Sequence, residues 1–231
     1  MLCALWSPNG GAGTSAFAAA CALVAARHRS TRLADLDGDQ PGILALPADP
    51  ATGLAEWLAV GPEAPADALD RFAVTVAPDL ALLPRGVRSV LDATPEAGAA
   101  LGVVLAQDDR ITFADVGRAE APALRALVEV ADASIVVVRE CYLTLRHCVR
   151  SPEIVTASGA VAMDEVDRGL TVRDIADIIP VPIMATAPFD ASIGRRIDAG
   201  VFPTRLPSGL VRAATRVCER IGVFGAQGAA A

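Results

Sequence analysis

Apolar positions fall into short runs separated by turns rich in Gly, Pro and Asp. Residues 2–6 form the first apolar run, read as a strand, which gives way to the loop Ser7-Pro8-Asn9-Gly10-Gly11-Ala12-Gly13. An Ala-rich stretch over 14–27 predicts a helix with one small-residue face. A strand over 31–36 runs into the acidic cluster Asp35-Leu36-Asp37-Gly38-Asp39. Residues 53–59 read as a short helix, and 72–77 and 80–83 as strand pieces. A helix over 95–107 carries Pro in its first turn, where a missing N–H costs nothing. Then follow a strand at 111–115, a helix at 122–131 and a strand at 134–139. That last strand contains Ile135-Val136-Val137-Val138, a continuous run that suits a strand buried on both faces of a parallel sheet.

The alternation continues. Helices are predicted at 142–150, 171–178, 192–199 and 208–221, and strands at 160–163 and 181–187. The small-residue end, 225–231, reads as a disordered tail. The Pro-rich stretches 47–50 and 62–65 are too short to link domains, and there is no internal repeat. This pattern predicts one α/β domain over 1–224, a doubly wound and mainly parallel sheet flanked by helices. Ligands of such sheets bind beyond the carboxyl ends of the strands, here 7–13, 35–39, 115–117 and 187–190.

Composition sharpens this. The 231 residues are 53% hydrophobic and 20% charged, which fits a globular chain, and only 4% aromatic, so Ala, Val, Leu and Ile must fill the core. No apolar run reaches the roughly 18 residues of a membrane helix. The start lacks the basic region of a secretory signal, so a cytoplasmic protein is expected, with any membrane recruitment through a partner. A net charge of −7 disfavours non-specific binding to nucleic acid. The five cysteines form no C-x-x-C pair and the two histidines lie far apart, so a zinc site is not expected and the thiols are read as reduced. All 20 basic residues are arginine; the chain has no lysine. Any mechanism that needs a lysine from this chain is excluded.

The loop at 7–13 is the sharpest chemical feature. Gly10, Gly11 and Gly13 stand between a first strand and a first helix. Glycines there let backbone N–H groups face an anion, helped by the helix N-terminus. A tight turn would also use such glycines. Ser15 follows where a phosphate-binding loop places a hydroxyl on magnesium.

Together with later segments, this loop resembles that of the ParA/MinD family of P-loop ATPases. Asp35 to Pro41 resembles the family's second acidic motif, Ile111 to Gly117 its Walker B strand, and Ala131 to Val138 the strand after it. Ala187-Pro188-Phe189-Asp190, with Asp198-Ala199-Gly200, resembles the loop that borders adenine. The resemblance implies that Gly10, Gly11, Ala12, Gly13, Thr14, Ser15 and Pro188 bind nucleotide. It implies that Ser15 and Asp115 serve magnesium and that Asp37 orients the attacking water. Asp35 would cap or hydrogen-bond within its loop; alternatively all three carboxylates, Asp35, Asp37 and Asp115, are relics that satisfy loop N–H groups.

The departures matter equally. Asn9 stands where the family has its signature lysine and Thr14 where it has the phosphate-gripping lysine. The family's Asn-Arg adenine motif is absent, and Val161-Ala162-Met163-Asp164 stands there instead. ATP or ADP with magnesium is therefore expected to bind weakly, if at all, and hydrolysis to be slow or absent. The chain is most similar to degenerate, TadZ/CpaE-like localisation proteins, which implies a positioning or scaffold factor for a Tad/Flp-type pilus or secretion system. Its partners would be proteins of that machine and a second copy in a homodimer. An active partition or septum-positioning ATPase remains open, with Arg85 and Arg88 as substitute cations. So does an enzyme of other chemistry, for which no further constellation speaks. Arg212, Arg216 and Arg220 fall on one stripe of the last helix, a solvated face or a contact for an anionic partner such as DNA.

Overall fold

The computed structural model describes residues 1–224. The predicted tail at 225–231 lies outside the described residues. Eight strands form one sheet: β1 (Leu2–Ser7), β2 (Thr31–Asp35), β3 (Val74–Ala77), β4 (Leu80–Leu83), β5 (Ile111–Arg118), β6 (Ala133–Arg139), β7 (Gly159–Asp164) and β8 (Ile183–Pro188). Their order is β3-β4-β2-β5-β1-β6-β7-β8, and every pairing is parallel except β3 with β4. The helices are α1 (Thr14–Ala25), α2 (Gln40–Ile43), α3 (Leu54–Val60), α4 (Ala68–Phe72), α5 (Pro95–Gln107), α6 (Pro122–Val130), α7 (Tyr142–Cys148), α8 (Val172–Ile178), α9 (Ala191–Asp198) and α10 (Ser208–Arg220).

Strand geometry explains the continuous apolar runs. Successive side chains point to opposite faces, and both faces are covered. Cys3, Leu5, Ile135 and Val137 pack with Phe17, Phe113 and Val217 on the side of α1 and α10. Leu2, Ala4, Trp6, Val136 and Val138 pack with Trp57, Leu101 and Ile175 on the other side. The Ala-rich face of α1 lies flat on the sheet; Ala18 to Ala20, Cys21 and Ala22 are fully buried. The five cysteines are free thiols, four of them buried in the core and Cys141 half-buried.

The elements agree with the sequence pattern except in three places. Residues 68–72 form a helical turn, so the strand expected from 72 starts at Val74. The acidic cluster is followed by the short α2, with Pro41 in its first turn. Strand β5 continues past Asp115 to Arg118. There its register against β1 shifts: Leu5 pairs Asp115, but Trp6 pairs Gly117 and Ser7 pairs Arg118. That bulge re-aims the end of β5.

Among the described residues no helix is long and apolar enough to cross a membrane. Arg212, Arg216 and Arg220 are exposed on α10, as the periodicity requires, and Arg220 donates to the Ile183 carbonyl at 3.0 Å.

Candidate functional site

A cleft of about 640 Å³ opens at the carboxyl ends of β1, β5, β7 and β8. Its floor is the loop from Ser7 to Gly13 and the first turn of α1. Gly11 and Gly13 take φ of +75° and +82°, left-handed values that a side chain would strain. A Cβ on Gly13 would also stand 3.2 Å from Met163 and 3.3 Å from Phe189. Helix α1 has no side-chain cap and no acid in its first turn, so its free N–H groups face the cleft with their partial positive charge. The Ser7 hydroxyl donates to the Asn9 carbonyl at 2.8 Å and fixes the loop entry. Asn9 Oδ1 is buried without a hydrogen-bond partner.

One end of the cleft is polar and carries carboxylates. Asp37 and Asp39 line it beside Gly10, Ser15 and Gly117. A Cβ on Gly117, at φ +60°, would stand 2.3 Å from Asp37 Oδ1, so only glycine lets Asp37 lie across the end of β5. Burial raises the Asp37 carboxyl above its ordinary value, Asp39 adds repulsion, and Arg85, Arg118 and Ser15 pull it back. Behind it lie Asp35 and Asp115, both fully buried. Burial pushes Asp35 up to about 6, against a hydrogen bond from the Gly38 N–H at 2.6 Å. Burial pushes Asp115 up to about 7, with Asp35 as the next contributor.

Asp115 does not line the cleft. Gln40 Nε2 donates to its Oδ2 at 2.7 Å and to the Ser15 carbonyl at 2.9 Å. Gln40 thus occupies Oδ2 of Asp115, the carboxylate expected to hold magnesium through water. Gln40 was not legible as a site residue, because its role depends on α2 folding back beneath α1. Thr14 is buried at the loop's end, where it presents one hydroxyl and no charge.

The cleft also has an apolar lining of Met163, Phe189, Ile193 and Ile197, with Glu165 and Asp190 among them, and Met163 and Phe189 stand against Gly13. Pro188, expected to border a base, instead packs against Gly209 of α10, and the next residue, Phe189, forms the wall. The Arg139 guanidinium stacks 4.1 Å from the Phe189 ring centroid on the side of the ring it covers. It is held there by Glu165, with Nε–Oε2 and Nη2–Oε1 both 2.9 Å.

Arginine placement differs from the expectation. Arg85 lies against Gly38, donates to the Asp37 carbonyl, and lines a smaller neighbouring cavity of about 310 Å³ together with Arg88. Neither faces the glycine loop's cleft. Arg118 does, and it also borders the smaller cavity.

No protein-family model and no curated protein matches the chain. Solved structures do. A ParA family ATPase from Chlorobium tepidum TLS superposes with a TM-score of 0.78 at 18% identity over 94% of this chain and 98% of that one. The septum site-determining protein MinD from Pyrococcus horikoshii, complexed with Mg-ADP, gives 0.77 at 17% identity over 95% of each chain. The MinC:MinD cell division complex of Aquifex aeolicus gives 0.75 at 18% identity over 94% and 95%. At such identities the likeness is one of fold: the chain has the ParA/MinD-type P-loop architecture.

Proposed function

We propose that this chain belongs to the ParA/MinD family and acts as a positioning or scaffold factor that binds ATP or ADP weakly and hydrolyses little or none. The observation that carries the reading is the neutral floor of the cleft. A glycine loop and an uncapped 12-residue helix offer N–H donors to phosphates, but the gripping position holds the buried, uncharged Thr14. Losing one preorganised donor costs about 3–4 kcal/mol of transition-state stabilisation. Losing an arginine-finger type of cation costs a further ~10³- to 10⁵-fold in rate.

The cleft's lining suits a nucleotide, with a glycine loop, carboxylates and the aromatic ring of Phe189. Magnesium carried by the phosphates would meet Ser15, with Asp37 close by and Asp115 behind it to act through water. Among the described residues no cluster of three or more His, Cys, Asp or Glu could hold a metal unaided. The likeness to MinD with Mg-ADP and to the MinC:MinD complex supports a nucleotide and a protein partner. A machine such as a Tad/Flp-type pilus or secretion system suits a protein with an eroded loop. The family's signature lysine is implied to reach across a dimer to the partner's phosphates; Asn9 lacks that charge but keeps an amide that can hydrogen-bond across a two-fold interface, so a homodimer here is constitutive and not nucleotide-gated.

A second reading, an active partition or septum-positioning ATPase, draws on Asp37 lining the cleft beside Arg118. Phosphate release from ATP with magnesium separates the two. Turnover far below ~1 s⁻¹ is expected, and turnover of that order or faster would favour the ATPase.

A further inference from the structure

Among the described residues that line the cleft, Arg118 is the only cationic side chain, set against Asp37, Asp39, Glu165 and Asp190. Phosphates entering this cleft would meet four carboxylates and one guanidinium. In a chain without lysine, that guanidinium is the positive charge the cleft has to offer beyond its backbone donors.

The fold aims it there. The bulge after Asp115 skips Val116, Gly117 turns at φ +60°, and Arg118 comes to pair with Ser7, the last residue before the glycine loop. Its Cδ lies 3.8 Å from where a Cβ on Gly10 would stand, so the side chain crosses the front of the loop. It shares this end of the cleft with Asp37, whose carboxyl it pulls down. Phe189 stands against Gly13 of the same loop, whereas Arg118 stands against Gly10.

The other nearby guanidinia are committed. Arg85 is spent on the Asp37 and Gly86 carbonyls. Arg139 is forked onto Glu165 and stacked on Phe189. Arg118 holds only Glu120, at 3.3 Å, and both side chains are more than half exposed, a screened pair that exchanges easily. A guanidinium presents a rigid planar fork that matches two phosphate oxygens, where an ammonium acts as a point charge with rotatable donors.

We infer that Arg118 contacts the terminal phosphates of the bound nucleotide from the end of β5 and supplies what charge-based affinity the cleft has, without restoring the cation that Thr14 replaces inside the loop. This rests on the nucleotide reading above. It makes affinity depend on the number of phosphates: ATP and ADP feel Arg118, whereas AMP does not reach it.

Calorimetry with ATP, AMP and inorganic tripolyphosphate on wild type, Arg118→Ala and Arg118→Lys tests it. Arg118 is exposed, so both variants should fold, as circular dichroism will check. Arg118→Ala should weaken ATP and tripolyphosphate about tenfold and AMP less than threefold, with Arg118→Lys between. Less than a threefold loss of ATP and tripolyphosphate in Arg118→Ala overturns the inference. If wild type binds tripolyphosphate but gains nothing from the nucleoside, the nucleotide reading fails, and Arg118 is judged on tripolyphosphate alone. If wild type binds neither, both fail.

Discussion

Glu140 follows the end of β6 and is buried, Oε2 accepting from the Glu165 N–H at 3.2 Å. Burial raises its carboxyl above the ordinary 4.5, and the neighbouring Asp164 adds repulsion. The folded state therefore binds this proton more tightly than the unfolded chain does. Stability from Glu140 is full below the ordinary value and is lost as pH rises through the raised one. Glu140→Gln keeps an acceptor and removes the charge. The variant should match wild type near pH 4 in thermal melts and melt higher at pH 7–8. Asp35 and Asp115 act with the same sign but are common to both proteins, so the difference isolates Glu140. Equal melting at pH 8 would show that Glu140 ionises there without strain. Residue identity made the glycine loop and the acidic cluster legible, since Gly, Ser and Asp at strand ends signal their chemistry by type. It pointed to Arg85 and Arg88 as substitute cations and missed Arg118. Arg85 and Arg118 both come at the ends of strands, and only the bulge at Val116, a matter of register between β1 and β5, decides which one faces the loop. Gln40 escaped notice for the same reason: its meaning lies in Asp115, 75 positions away.

Helices α5 and α6 cross at a glycine. A Cβ on Gly98 would stand 1.9 Å from the Ala123 carbonyl oxygen, which is backbone and cannot step aside. Gly98→Ala should therefore destabilise by about 2–4 kcal/mol, as overpacking of a tight contact does. Gly194, inside α9, has open space where its Cβ would be. Gly194→Ala should stabilise by about 0.5–1 kcal/mol through helix propensity. Urea unfolding of the two variants checks both signs, and a neutral Gly98→Ala would mean that the helices part freely. The long elements were legible from their pattern: the Ala-rich α1, the Pro-started α5 and the valine run of β6. Short elements were not. Residues 68–72 carry Leu69 as their one buried side chain, too little periodicity to distinguish a helical turn from the start of a strand.

At the scale of the whole molecule, the alternation of strands and helices announced a parallel sheet, whereas the strand order was out of reach. Nothing in a strand's composition says that β1 lies between β5 and β6. Assembly is testable here too. If the proposed homodimer is constitutive, light scattering should give the same dimer mass with and without ATP; a monomer that doubles only on adding ATP would restore a nucleotide-gated switch. The central place of β1 also bears on how the chain reaches its fold. Its two neighbours begin at Ile111 and Ala133, so β1 is made well before either of its hydrogen-bonding partners. Meanwhile β3 and β4 can zip locally as a hairpin. Such long loop closures make folding slow and leave Leu2 to Trp6 and the alanine face of α1 uncovered during synthesis. The strand that leads into the glycine loop is thus translated ahead of both its neighbours and sheltered only after them, an apolar segment that a chaperone would have to cover in the growing chain.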